Sequence, residues 1–200
     1  MQPRALLSFA APCGLALLAA CSPLHAPPAA TSARATAAAP PRGLVLQAGE
    51  GERRVRRPRP GTATTLQAPF ILKVDRRNGG SPELVMGYED IPPGQAIQPH
   101  RHLHADEIIF VHKGSGIATL GGREAPVSAG ATVYIPRDTR VSLRNTGSEP
   151  LGIAFIFSHP GFEELMRQNS VLEGQPAPPI SAEEFARTRA QNRWHTVYEP

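Results

Sequence analysis

Three histidines at alternate positions, followed by a carboxylate, constrain this chain more than any other feature in it. Residues 94–114 read GQAIQPHRHLHADEIIFVHKG, which places His100, His102 and His104 ahead of Glu107. Alternate residues of a strand project to one face. Pro99 disfavours helix just before it, and the apolar, β-prone run Ile108 to Val111 follows. The segment therefore reads as a strand presenting its imidazoles together, a turn at Ala105-Asp106, and a second strand that brings Glu107 back toward them. Two imidazoles and one carboxylate converging with open positions form a facial triad, which suits Fe(II) and also Mn(II), Zn(II), Co(II) or Ni(II). A surface histidine cluster, or histidines hydrogen-bonded inside a barrel, is the bland reading of the same residues.

The rest of the chain supplies the frame. From Pro69 onward short apolar stretches alternate with Gly, Pro and Asn turns. Residues 70–76 and 83–91 read as a hairpin across Asn78-Gly79-Gly80-Ser81, and further strands fall near Ile117, Val127, Thr132, Val141 and Leu151. Short strands at this spacing predict a β-sandwich or barrel. The 22 prolines, 18 glycines and 6% aromatics agree with a turn-rich β-domain carrying flexible flanks. The formal charge of +4 is too small to argue for nucleic acid. Both cysteines, Cys13 and Cys21, lie near the N-terminus, so no disulfide framework serves the domain.

The histidine stretch also resembles a family motif. Gly94, five residues, His100, one residue, His102, four residues, Glu107, six residues and Gly114 is similar to the first motif of the cupin superfamily. The resemblance implies an all-β fold, a double-stranded β-helix or jelly-roll cupin barrel over 43–158, with short C-terminal helices over 159–200. It also implies that His100, His102 and Glu107 are ligand positions for one divalent transition metal, Fe, Mn, Zn or Ni, with His104 extra to the pattern. The second motif is present in Gly130, Pro136 and Asn145, but Asp138 stands where a glycine is usual and Val141 where a fourth ligand histidine is usual. Three outcomes stay open: a three-ligand site, rotation of His104 into the vacant role, or loss of metal with the barrel kept as a pocket. Gln98 shares the face of His100 and is a pocket residue on this reading. His112 is out of phase with Glu107 and points away. The family also suggests a homodimer.

The flanks carry their own signals. Arg4 and the apolar stretch Ala5 to Ala20 have the anatomy of a signal peptide over 1–20. Leu18-Ala19-Ala20-Cys21 resembles a bacterial lipobox, which implies lipidation of Cys21 and a periplasm-facing domain, and Ser22 after it, in place of Asp, suggests by the same resemblance an anchor in the outer membrane. Residues 21–42, rich in Ala and Pro, read as a tether. Arg53, Arg54, Arg56, Arg57 and Arg59 read as an edge strand or solvated loop protected by charge, with anionic headgroups as the alternative partner. In the tail, acids follow Pro160 and Phe162, and Ser181 with Glu184 forms a capping box opening a helix to about Asn192. Phe185, Trp194, Val197 and Tyr198 would pack this tail across the barrel or on a second subunit, or cap the pocket.

Three function classes follow. A complete triad favours metal-assisted oxygenase- or lyase-type chemistry on a small molecule. Val141 favours non-enzymatic binding of a small ligand. The anchor and tether alone would suit a structural envelope protein.

Overall fold

The structure is a computed structural model that describes residues 42–59 and 68–199. The expected signal segment 1–20, Cys21 and nearly all of the tether lie outside the described residues. Two antiparallel sheets enclose the core. The first has seven strands in the order β11 (Ser170–Leu172), β1 (Glu52–Arg56), β2 (Phe70–Val74), β3 (Val85–Ile91), β10 (Leu151–Phe157), β5 (Glu107–Lys113) and β8 (Thr132–Ile135). The second has five: β12 (Thr196–Tyr198), β4 (Ala96–His102), β9 (Val141–Asn145), β6 (Ser115–Leu120) and β7 (Arg123–Ser128). This is the expected jelly-roll barrel, with two short helices, α1 (Phe162–Gln168) and α2 (Ala182–Gln191), in the C-terminal region.

Period-two alternation explains which residues enter the barrel. Along β5, Glu107, Ile109 and Val111 are buried while Ile108 and Phe110 are exposed. Along β9, Val141, Leu143 and Asn145 point in. One apolar cluster gathers Ile91, Ile109, Val111, Leu143, Leu151 and Ile153. A second gathers Phe70, Leu72, Val85, Phe155, Phe157 and Met166. Each fully buried Leu, Ile or Phe stabilises the fold by about 1.5–3 kcal/mol. Gly87, on β3 between β2 and β10 of the first sheet, has no room for a side chain, since a Cβ there would stand 2.3 Å from Phe155 Cζ and 2.5 Å from the Ile71 carbonyl oxygen.

The second sequence motif works as backbone engineering. Asn145 is buried and saturates its amide: Nδ2 donates to the Ile91 and Glu149 carbonyls, and Oδ1 accepts from Gly147 N. Asp138 replaces the usual glycine yet still adopts φ 59°, the left-handed region that Asp tolerates better than most residues. Its amide donates to the His102 carbonyl at 2.7 Å, so this turn is pinned to the histidine strand.

Two expectations need correcting. The arginine-rich segment is neither an edge strand nor a solvated loop, because β1 pairs with β2 on one side and β11 on the other. Its arginines meet fixed partners: Arg56 reaches Glu89, Arg54 donates to Ser170 and Glu52, and Arg57 pairs with Glu184. The tail, read as helices with an unassigned aromatic end, also contributes β11 and β12, one to each sheet. The capping box is in place, with Ser181 accepting from Glu184 N at 3.1 Å.

Candidate metal centre

The histidines and the carboxylate come from different sheets and meet across the barrel interior. His100 and His102 enter from β4 and Glu107 from β5, and all three are at most 5% exposed. One donor atom from each lies within 4.8 Å of the other two. Pro99 helps to set this up. The β4–β9 register slips between Ile97 and His100, and a proline without an N–H is tolerated at such an irregularity.

The ring orientations follow from hydrogen bonds. His100 Nδ1 donates to the Gln98 carbonyl at 2.7 Å, which leaves Nε2 with its lone pair. His102 Nδ1 meets the Thr196 hydroxyl at 3.1 Å, and its Nε2 lies 3.5 Å from Glu107 Oε2. Phe157 and Phe162 pack edge-on against His102, with ring centroids at 4.7 and 4.8 Å. These walls exclude water from the imidazole.

Burial decides the charge states. It raises the Glu107 carboxyl to about 8, with Glu89 adding repulsion. Burial also lowers His100, and it drives His102 well below its ordinary value with help from His100 and His195. At neutral pH all three groups are therefore uncharged, and the His102–Glu107 contact is not an ion pair. Moreover His102 Nε2 and Glu107 Oε2 are both buried without a hydrogen-bond partner. An orphaned buried polar atom costs about 1–3 kcal/mol. A divalent cation would engage both atoms and reverse the local pKa logic. The donor set, two neutral imidazoles and one carboxylate, fits such an ion.

The remaining sequence-derived residues divide. Gln98 lines the inner cavity and orients His100 through its carbonyl. Val141 faces His100 in the β4–β9 register and is 2% exposed, an apolar wall at the fourth position. His104 is not brought in: it is exposed and stacks on Trp194, with centroids 6.3 Å apart. The alternation that carries His100 and His102 inward ends with β4 at His102, so His104 follows a bend instead of the strand. His112 is exposed and packs edge-on to Tyr88.

Sequence reasoning missed the contribution of the C-terminal strand. β12 lies beside β4 with Thr196 opposite His102 and Tyr198 opposite His100. The Thr196 hydroxyl touches Nδ1 of both His102 and His195. His195 is 1% exposed, and burial, with His104 and His159, lowers it to about 4. Gly161, at φ +140°, makes room for it, since a Cβ there would lie 2.5 Å from His195 Cδ2. The β-branched pair Thr196-Val197 before Tyr198 was the available signal, but three residues are too few for periodicity to separate a strand from a loop.

The cavity over the site has a volume of about 70 Å³ and is lined by Arg56, Arg59, Gln98, His100, Glu107 and Tyr198, among others. A larger groove of about 720 Å³, lined in part by Leu44, Ile71, Lys73, Tyr88 and His112, contains none of the three clustered residues.

Residues 87–157 match the family described as the cupin domain. That stretch lies within the jelly-roll barrel. This chain is 34% identical over 83 residues to the dimethylsulfoniopropionate lyase DddW of Ruegeria pomeroyi, covering 42% of this chain and 53% of that protein. It is 30% identical over 102 residues to the polyketide synthase CurC of Streptomyces cyaneus, covering 51% of this chain and 62% of that one. The chain spans about half the length of the curated relatives it matches. A solved structure from Thermotoga maritima, described as a predicted oxalate decarboxylase, aligns with a TM-score of 0.50 at 18% identity over 58% of this chain and 100% of that one. That likeness speaks to the fold alone.

Proposed function

We propose that this cupin holds one divalent transition metal on His100, His102 and Glu107 and acts on a small organic molecule within the barrel, in oxygenase- or lyase-type chemistry. The observation that carries the reading is the pair of orphaned buried atoms, His102 Nε2 and Glu107 Oε2, facing each other at 3.5 Å. When bound, the metal would supply Lewis acidity and open positions for substrate and oxygen or water. The chain itself does the rest. The Gln98 carbonyl and the Thr196 hydroxyl turn the two imidazoles so that Nε2 faces inward. Phe157, Phe162 and Val141 keep the site dry, and Glu107 stores a proton until a cation replaces it.

That stored proton gives the test. At pH 7, with Glu107 raised to about 8 and both histidine pKa values lowered by burial, metal binding is expected to release up to about one proton. Calorimetric Zn(II) titrations in buffers of different ionisation enthalpy measure it, and Glu107→Gln should abolish the release. Metal binding with no proton release in the wild type would remove Glu107 from the site. In the metal-free protein the sign of the stability profile follows from the same shifts. Glu107 keeps its proton to about 8 when folded but loses it near 4.5 when unfolded, so its contribution is full below 4.5 and is lost as pH rises toward 8. The depressed His100 and His102 act oppositely: their contribution is present above 6.5 and is lost as pH falls.

Thr196→Val removes the hydroxyl shared by His102 and His195 while keeping the side-chain shape. It is expected to weaken metal affinity about 10–100-fold with little loss of fold. Unchanged affinity would confine Thr196 to a packing role.

Val141 favours a second reading, in which the barrel binds a small molecule without metal or turnover. A ligand-induced thermal shift in chelator-treated protein, with no product formed, would select it. We also propose, from the lipobox residues, that Cys21 is lipidated and displays the barrel from the bacterial envelope. Cys21→Ser should move the protein from the membrane to the soluble fraction.

A further inference from the structure

A basic groove runs along the open edge of the second sheet. β12 ends that sheet, with β4 on one side and, among the described residues, no strand on the other. The groove has a volume of about 420 Å³, and its lining takes in all three residues of β12, Thr196, Val197 and Tyr198. Consecutive strand residues point their side chains to opposite faces, so a groove that touches all three lies against the edge of the strand, where the backbone is. The opposite wall is Ala186, Arg189 and Ala190 from one stripe of α2, with Arg193 just past its end.

The β4–β12 ladder fixes which backbone groups face this groove. The Leu103 amide donates to the His195 carbonyl, and the Glu199 amide donates to the Pro99 carbonyl. Residues 195, 197 and 199 therefore direct their hydrogen bonds at β4, and the alternate residues turn theirs outward. The Thr196 amide donates to the Asn192 carbonyl at 2.9 Å. That leaves the Thr196 carbonyl and both backbone groups of Tyr198 facing the groove. Charge adds to this. The acids of the region are engaged elsewhere: Glu183 by Arg187, Glu184 by Arg57, and Glu199 by Arg101 and Arg140. Among the described residues, Arg189 and Arg193 are left without a carboxylate. Arg189 lies over the Tyr198 ring, 4.7 Å from its centre, beside the open edge.

We propose that the open edge of β12 is a docking site for an acidic peptide in extended conformation, which adds a strand to the second sheet and sets its carboxylates on Arg189 and Arg193. Main-chain hydrogen bonds supply affinity in such strand addition, and alternate side chains supply specificity. Hydrogen bonds between guanidinium and carboxylate are about twice as strong as neutral ones. At about 3.3 Å per residue, the three residues of β12 present roughly 10 Å of edge, room for a short stretch with two acids at alternate positions. A second copy of this chain is a poor occupant, because edge-to-edge pairing would bring four guanidinium groups together. The inference goes beyond the proposed function and holds with or without a metal.

A rhodamine-labelled peptide of five alternating valines and glutamates, amidated at its C-terminus and titrated with the full-length protein, tests it by fluorescence anisotropy. The peptide is expected to bind saturably and to slow hydrogen exchange of the Tyr198 amide at least tenfold. Replacing its glutamates by lysines should weaken binding at least tenfold, and so should methylating its backbone amides. Arg193→Glu should cost at least tenfold, while Arg123→Glu on β7, at the far edge of the same sheet, should change nothing. The methylated peptide, used with wild-type protein, decides the matter if Arg193→Glu does not fold. Equal binding of the glutamate and lysine peptides overturns the proposal, as does full binding by the methylated one, because charge alone would then suffice. Binding that leaves the Tyr198 amide unprotected places the peptide elsewhere and also overturns it. Glutarate displacing the peptide at equal concentration would make the groove a small-anion site, and a dimer of this chain dissociated by the peptide would assign the edge to a second copy; either result overturns it.

Discussion

Purified protein reloaded in turn with Fe(II), Mn(II), Zn(II) and Ni(II) is expected to retain about one equivalent of at least one of them, and His102→Ala less than about a tenth of that. The reason lies in how His102 is held. Its ring is 1% exposed, its Nδ1 is occupied by Thr196, and its Nε2 faces Glu107 with no other partner. Removing it leaves one imidazole and one carboxylate, and Val141 offers no donor in compensation. Elemental analysis reads the metal directly. Thermal unfolding reads it independently, because a ligand at about 100 times its Kd stabilises the native state by about 2.7 kcal/mol. That increment should appear in the wild type and vanish in the variant. Circular dichroism of the metal-free variant separates lost ligation from lost fold, since the ring also packs among Phe157, Phe162 and His195. A wild-type chain that takes up none of the four metals would sink the metalloenzyme reading and leave the barrel as a small-molecule pocket.

Arg167→Ala should lower stability by roughly 3–5 kcal/mol, the usual consequence of deleting one partner of a buried ion pair. Arg167 projects from α1 and is 8% exposed. It binds Asp75 after β2, Glu52 on β1 at 2.6 Å, and Glu164 on its own helix at 3.1 Å. Asp75 is 1% exposed and already holds the turn through the amides of Arg77 and Asn78. Without the guanidinium, the Asp75 and Glu52 carboxylates would face each other with little water to screen them. Glu52 feels the same arrangement: burial works against its charge, but hydrogen bonds from Arg167 and Arg54 hold its pKa below the ordinary value. Urea unfolding measures the loss. Arg167→Met should fail almost as badly despite its volume, while adding Asp75→Asn to it should recover part of the stability. A loss under about 1 kcal/mol for Arg167→Ala would mean that the cluster is hydrated and contributes little.

How much of the candidate site was legible depended on range. His100, His102 and Glu107 could be read together because strand alternation and one turn are local rules acting over eight residues. His104 obeyed the same spacing, but nothing local marks where β4 stops and the bend begins. Thr196, His195 and Tyr198 lie about ninety residues further on, in a strand too short to announce itself. Arg56 and Arg59 were visible as a charge run, but their partners Glu89, Ala68 and Phe185 could not be. A run of arginines predicts solvent by default, and only long-range pairing of β1 on both edges turns it inward.

The amino-acid sequence by itself determined the fold class, the facing strand of imidazoles with its carboxylate, and the damage at Val141. All of these rest on period-two patterning and turn chemistry, which act between near neighbours. The tertiary structure decided which nitrogen each histidine turns inward, which groups are neutral, and what closes the cavity. Those outcomes depend on burial and on hydrogen bonds from β12, which exist only once the chain's end has crossed the barrel and paired beside its middle.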